Sequence, residues 1–212
     1  MGVSGMAAAL VRAMAARDLS THEHAQRVQR YAAALAREAG IRDDSILEAI
    51  DIAALLHDVG KLGIPDRVLD KPGPLTTDEY DLVKQHAVIG ADILSAAALP
   101  RVVALLVRHH HENWDRTGYP DGLSGQAIPI GARVIAIVDC YDALTSDRPY
   151  RRALSHSRAV AMLLERRGTM HDPNLADAFL RIVERLRSEC TSEDADGRRT
   201  CADPLWLRAR AV

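Results

Sequence analysis

The chain has 212 residues, 48% apolar and 26% charged, with 27 Lys and Arg against 29 Asp and Glu. That is the length of one ordinary domain with a sizeable core, and the net charge of -2 excludes a strongly basic nucleic-acid footprint over the whole chain. Aromatic residues at 4% leave little for a single-strand stacking platform.

The apolar spacing is helical almost throughout, with no internal repeat and no low-complexity linker before residue 188. A short Ala-rich helix is expected over 6–17. A second covers 21–39 and closes at Gly40, in the position that favours a left-handed cap. A third covers 43–58, opened by Asp43 and Asp44. The fourth, 77–97, opens on Thr76-Thr77-Asp78-Glu79, which reads as a capping box. A fifth covers 100–112. Residues 131–144 contain the β-branched run Val134-Ile135-Ala136-Ile137-Val138. Their length and helical company favour a buried helix over a strand. Two amphipathic helices follow near 157–167 and 174–188. The turn signals fall between Gly60 and Pro74 and between Gly118 and Gly131. The expected class is an all-α bundle with one long structured loop. Residues 1–16 read as an N-terminal helix (a signalling-helix end or a dimer contact) and 17–188 as the main domain. Residues 189–212 read as a mostly disordered tail with an apolar triplet at Leu205-Trp206-Leu207.

Three cysteines, Cys140, Cys190 and Cys201, show no CxxC and fit a reducing compartment. The most apolar stretch, 91–107, is broken by Asp92, Pro100 and Arg101, whereas a span needs about 20 apolar residues. The N-terminus lacks a basic region before its apolar stretch, so no secretory signal is read. A soluble cytoplasmic protein is the expectation.

Nine histidines are present. His57-Asp58 ends the apolar run Ile52-Ala53-Ala54-Leu55-Leu56, where burying both groups is costly unless something compensates them. A divalent metal would do so; a helix cap followed by a turn is the plain alternative. His24 lies on the second helix, His86 on the fourth, His109-His110-His111 at the end of the fifth, and Asp139 after the apolar run of the sixth. Five helices thus each offer a metal-binding group, and a bundle core is where such groups converge. Imidazole plus carboxylate suits iron, manganese, nickel or zinc. Lys61 follows His57 by four residues and shares its face if the helical turn continues.

These residues sit in runs that resemble a known family. His57-Asp58-Val59-Gly60-Lys61-Leu62-Gly63-Ile64-Pro65-Asp66 resembles the signature of HD-superfamily phosphohydrolases. Lys71-Pro72-Gly73-Pro74-Leu75-Thr76, Lys84-Gln85-His86, His110-His111-Glu112, Gly118-Tyr119-Pro120 and Asp142-Ala143-Leu144-Thr145-Ser146-Asp147-Arg148-Pro149-Tyr150-Arg151 follow. In that order and spacing the set resembles the HD-GYP domain, whose members hydrolyse cyclic di-GMP, over about residues 17–185.

The resemblance implies an HD-superfamily helical bundle, with 17–188 as the catalytic domain. It implies two divalent ions, iron or manganese, with nickel or zinc as alternatives. His24, His57, Asp58 and Asp139 would hold one. Asp58 would bridge to the other, held also by His86, His110 and His111. Asp58 and Lys61 would be catalytic. Lys61, Arg148 and Arg151 would contact substrate phosphates. Attack by a metal-bridging hydroxide would yield pGpG, and then GMP if the linear product is accepted. Gly118, Tyr119 and Pro120 would form a wall near the site and a docking surface for GGDEF- or PilZ-type partners. The remaining expected partners are cyclic di-GMP and a second copy of the chain, with no nucleic-acid polymer and no membrane. Another cyclic dinucleotide or a nucleotide phosphoester is the alternative substrate, and a docking module the alternative role.

Some relatives of this kind hold a third metal with an acidic residue four positions before the first ligand histidine. Here that position is Ser20, and Glu23 points about 100° away on a helix, so two metals are expected. His109-His110 is the rival to His110-His111 as the ligand pair. His22, His156 and His171 read as surface or capping residues, Asp142 as a residue that orients a ligand, and Cys140 as packing. Arg116 departs from the usual Gly of the family's loop. If that position needs a positive φ, Arg is strained there.

Overall fold

The computed structural model describes residues 3–17, 19–147 and 152–191, without the side chains of 3–4, 19–21 and 189–191. Arg148, Arg151 and the tail from 192 onward lie outside the described residues. The helices run α1 Val3–Arg17, α2 Leu19–Glu38, α3 Asp44–Leu56, α4 Asp66–Leu69, α5 Thr77–Lys84, α6 His86–Ala96, α7 Arg101–His109, α8 Ile130–Thr145, α9 His156–Glu165 and α10 Pro173–Thr191. Short 3₁₀ turns cover Val59–Gly63 and Gly125–Ala127. No strand occurs among the described residues, and the class is all-α.

Local sequence chemistry sets several helix ends. Gly40 takes a φ of 83° after α2. The Asp43 carboxylate accepts from the amides of Ser45 and Ile46 and starts α3. Thr76 and Glu79 form the reciprocal capping box of α5.

Three helices end or break differently from the periodicity. The expected 77–97 helix divides at Gln85, whose amide bonds the carbonyls of Leu82 and Val83 rather than continuing the i to i−4 ladder. The chain turns there, and His86 opens α6. The 43–58 helix stops at Leu56, and Asp58 sits at φ -93°, ψ 3° before the 3₁₀ turn. The 100–112 helix stops at His109.

The core lies between α2, α3, α7 and α8, with α6 and α10 against its sides. Leu35, Ile50, Leu56, Val103 and Val107 are fully buried. The β-branched run of α8 is helical, with Val134, Ile135, Ile137 and Val138 fully buried. A helix buried on most of its circumference loses the polar stripe that would otherwise mark it. Tyr31, Tyr141 and Phe179 pack edge to face at 5.2–6.2 Å between ring centroids and hold α10 on α2 and α8. Ala7 and Met14 bring α1 into the same core. Among the described residues no helix is long and apolar enough to cross a membrane.

Candidate metal centre

Five helices converge on one site, three of them through their ends. His57 caps α3 and Asp58 follows it. His24 comes from α2, His86 from the first turn of α6, His110 and His111 from the end of α7, and Asp139 from α8. The ligand atoms form two groups, His24–His57–Asp139 and His86–His110–His111, each with its atoms within 4.8 Å of one another. In the first, His24 Nε2 lies 3.3 Å from His57 Nε2 and 3.1 Å from Asp139 Oδ1. In the second, His86 Nε2 lies 3.4 Å from His110 Nε2. Asp58 stands between them. Its Oδ2 is 3.6 Å from His57 Nε2 and its Oδ1 is 3.7 Å from His86 Nε2.

The outer nitrogens explain why the inner ones point inward. The Nδ1–H groups of His57, His86 and His110 donate to the carbonyls of Ala54, Val83 and Val107 at 2.8, 2.7 and 2.6 Å. Each bond runs to the residue three back, so the local helix selects the tautomer with a bare Nε2 lone pair. His24 Nδ1 is bonded instead to Asp142 Oδ2 at 2.6 Å. Arg27 holds the other face of that carboxylate, with Nε 2.6 Å from Oδ1. Several bare lone pairs aimed at one another are unfavourable alone, and cations between them would satisfy all of them.

Two glycines make the approach possible. A Cβ on Gly60 would lie 1.9 Å from the His86 carbonyl oxygen and 2.5 Å from the Gly90 amide. The 3₁₀ turn therefore presses directly on α6 and sets Asp58 beside His86. A Cβ on Gly118 would lie 2.2 Å from the Asn113 amide, in the loop that returns Tyr119 to His111. The Tyr119 amide donates to the His111 carbonyl at 3.1 Å, and the two rings lie 4.9 Å apart.

The model of the family described as HD domain matches residues 9–175. The chain belongs to the HD-domain family. It is 43% identical over 183 residues to "Cyclic di-GMP phosphodiesterase response regulator RpfG" of Xanthomonas campestris pv. campestris, covering 85% of this chain and 48% of that protein. It is 40% identical over 172 residues to "Cyclic di-GMP phosphodiesterase" of Thermotoga maritima, covering 80% and 46%. It is 38% identical over 173 residues to "3'3'-cGAMP-specific phosphodiesterase 2" of Vibrio cholerae, covering 81% and 33%. The chain thus spans about half the length, or less, of these curated relatives. Among solved structures, the HDG"Y"P protein Bd1817 of Bdellovibrio bacteriovorus superposes with a TM-score of 0.63 at 22% identity, covering 77% of this chain and 52% of that one. The PgpH HD domain of L. monocytogenes, solved with cyclic-di-AMP, superposes at 0.60 and 16% identity, covering 84% and 96%. At these identities the structures show the fold.

Within this HD domain the electrostatics differ between the two donor groups. Burial alone would lower the His24 pKa, but the hydrogen bonds to Asp139 and Asp142 outweigh it and raise it to about 9. Burial lowers His111 to about 3 and holds His110 well below its ordinary value, with the neighbouring imidazoles adding to the effect. Burial would raise Asp58, but Lys61 and the surrounding histidines hold it well below the carboxylate range. Lys61 Nζ donates to Asp58 Oδ2 at 2.6 Å.

His109 is not in either group. Its Nε2 bonds Asp121 Oδ2 at 2.9 Å, and Arg108 grips the same carboxylate at 2.8 and 2.7 Å. Glu112, buried next to them, accepts from the amides of Asp121 and Leu123 at 2.7 and 3.0 Å. His109, Glu112 and Asp121 lie close enough to one another to suit a cation. Their acceptor atoms are already committed, and the set acts as a strut for the loop. Sequence reasoning assigned Glu112 no role; its place directly after His110-His111 was the available signal.

Arg17, also missed, donates to the carbonyls of Lys61 and Ile64 and pairs with Asp66, tying α1 to the 3₁₀ turn. Nothing local in sequence marks a contact 44 residues away. His171 is buried rather than on the surface, with neither ring nitrogen bonded among the described residues. Burial and the Arg166 charge lower its pKa to about 4. His22 is half-buried. His156 bonds the Tyr141 hydroxyl at 2.8 Å and Glu184 at 2.7 Å, linking α8, α9 and α10. Arg116 takes φ 77°, the strained conformation that sequence reasoning made conditional.

Proposed function

We propose that this chain is a metal-dependent phosphodiesterase that hydrolyses cyclic di-GMP to pGpG, with GMP following where the linear product is accepted. The observation that carries the reading is Asp58, which offers one carboxylate oxygen to each of two donor groups. His24, His57, Asp58 and Asp139 would hold one divalent ion, and Asp58, His86, His110 and His111 the other. The donors, imidazole and carboxylate with no thiolate, suit iron, manganese, nickel or zinc alike, and iron or manganese is favoured on the family resemblance. When bound, two such ions supply Lewis-acid polarisation of a phosphoryl oxygen and acidification of water.

The chain's own residues supply the rest. Asp142 and the three backbone carbonyls hold the imidazoles in the tautomer that presents Nε2. Asp58 and Asp139 carry two negative charges against four positive ones, leaving a pocket suited to a phosphodiester anion. Asp142 is already balanced by Arg27. Lys61 Nζ, on a side chain 30% exposed, reaches the pocket edge and would exchange its bond to Asp58 for a phosphate oxygen. Arg148 and Arg151 are proposed as further phosphate contacts on the resemblance, and the cytoplasm as the compartment on the cysteine pattern. The curated relatives named for cyclic di-GMP support this substrate over the cyclic GMP-AMP alternative by their higher identity.

A second reading is docking of GGDEF- or PilZ-type partners on the Gly118–Pro120 loop. It is favoured by Arg116, an exposed arginine held at a positive φ beside that loop. The deciding experiment is cyclic di-GMP turnover, products separated by chromatography, on protein purified without oxygen and loaded with iron or manganese. Turnover abolished by Asp58→Ala is the expected result. Two bound ions with no turnover of cyclic di-GMP would overturn the proposal.

A further inference from the structure

Helix α5 carries two exposed groups and a half-buried one that the metal centre does not use. Tyr80 is 51% exposed in a chain with few aromatic residues. Lys84, four residues on, places Nζ 5.1 Å from the Tyr80 ring centroid. The same Nζ lies 5.9 Å from the centroid of Tyr119 and 2.5 Å from Asp81 Oδ1. Tyr119 in turn rests on His111, a residue of the second donor group. The chain of contacts His111–Tyr119–Lys84 therefore leads from the donor pocket outward to an aromatic face, an ammonium and a carboxylate. The Asp81 and Lys84 side chains remain 56% and 30% exposed.

We propose that Tyr80, Asp81 and Lys84 form a guanine-recognition subsite at the mouth of the site. The inference rests on the cyclic dinucleotide reading above. Guanine presents O6 and N7 as acceptors and the N1–H and N2 amino group as donors. An ammonium beside a carboxylate matches that edge, with Lys84 on O6 and Asp81 on N1–H and the amino group. Adenine inverts the pattern, since its N6 is a donor and its N1 an acceptor, and it leaves Asp81 facing a lone pair. A site built to bond a polar edge rejects the base lacking it, because its own groups are left unpaired. The exposed Tyr80 ring supplies the stacking face that single bases use. The Lys84–Asp81 bond would open to admit the base, as an exposed ion pair of this kind costs little to break.

The test compares kcat/KM of Asp81→Asn, Lys84→Met, Lys84→Arg and Tyr80→Leu with the parent, each at full metal content. The substrates are cyclic di-GMP, 3'3'-cGAMP and bis(p-nitrophenyl) phosphate, a diester with no base. Asp81→Asn and Lys84→Met are expected to lower kcat/KM for cyclic di-GMP about tenfold or more, the scale of one charge-assisted hydrogen bond. The base-free diester should stay within about twofold, and Lys84→Arg should recover part of the loss. Asp81→Asn should also shift preference toward 3'3'-cGAMP, because an amide can both donate and accept. Tyr80→Leu should weaken both dinucleotides. Cyclic di-GMP turnover unchanged in Asp81→Asn and Lys84→Met overturns the subsite, as does a parallel loss on all three substrates. A parent that cleaves the base-free diester but no cyclic dinucleotide overturns the function reading, and the subsite with it.

Discussion

Replacing Gly60 by Ala isolates the contact that brings the two donor groups together. The added Cβ would start 1.9 Å from the His86 oxygen and 2.5 Å from the Gly90 nitrogen, both backbone atoms. Ordinary contact begins near 3.4 Å, so the 3₁₀ turn and α6 must part by about 1.5 Å. A functional constellation tolerates displacements of roughly 0.5 Å. Gly60 is not in the left-handed region, so the penalty is steric and does not come from backbone torsion. Overpacking of this kind costs about 3 kcal/mol, which at 2–4 °C per kcal/mol lowers Tm by about 6–12 °C. The separation falls between Asp58 and His86, leaving His24, His57 and Asp139 undisturbed. Thermal melts and metal analysis should therefore show a destabilised but folded protein whose stoichiometry drops from two ions toward one. A variant that keeps both ions and melts within about 2 °C of the parent would refute the argument.

The Asp142→Asn variant should weaken metal binding about 10- to 100-fold, because it removes the carboxylate that pins His24 Nδ1 and pairs with Arg27; competition with a chelator measures it. Fully loaded parent should carry about two ions per chain by elemental analysis, and a ratio near three would contradict the reading of Ser20. For metal-free protein the pH dependence has two arms. His24 is raised from 6.5 to about 9, so its stabilising contribution is complete below 6.5 and is lost as pH rises through about 9. His111 is lowered from 6.5 to about 3, so stability is lost as pH falls below 6.5 and the unfolded chain takes up the proton first. The Tm of chelator-treated protein should fall on both sides of about pH 6.5, and a steady rise to pH 9 would contradict this. Glu112→Gln should cost about 1–3 kcal/mol, since an amide oxygen accepts only one of the two amides that the carboxylate now holds; calorimetric melting checks it.

Much of the local structure was legible in the sequence, because the signals act within a turn. The Thr76–Glu79 box, the Asp43 cap and the Gly40 turn each depend on residues a few positions apart. The tautomers at His57, His86 and His110 are also local, each set by the carbonyl three back, but only the structure revealed them. The break at Gln85 was not legible, because the apolar pattern runs on through it, whereas α6 packs closely against the 3₁₀ turn. Burial of His171 was missed for a related reason. One imidazole next to charged neighbours reads as surface, and only the docking of the 166–171 turn encloses it.

By itself the sequence determined the helices, their caps and the residue types able to bind a metal, since backbone hydrogen bonding and the 3.6-residue period act over short distances. It also carried the family resemblance that grouped those residues. Only the tertiary structure decided that the two oxygens of Asp58 face different donor groups, and that Asp142 reaches His24 from 118 positions away. It likewise set Lys84 and Tyr119 side by side. Such pairings depend on close packing between helices, where a single hydrogen at Gly60 in place of a methyl group sets the distance.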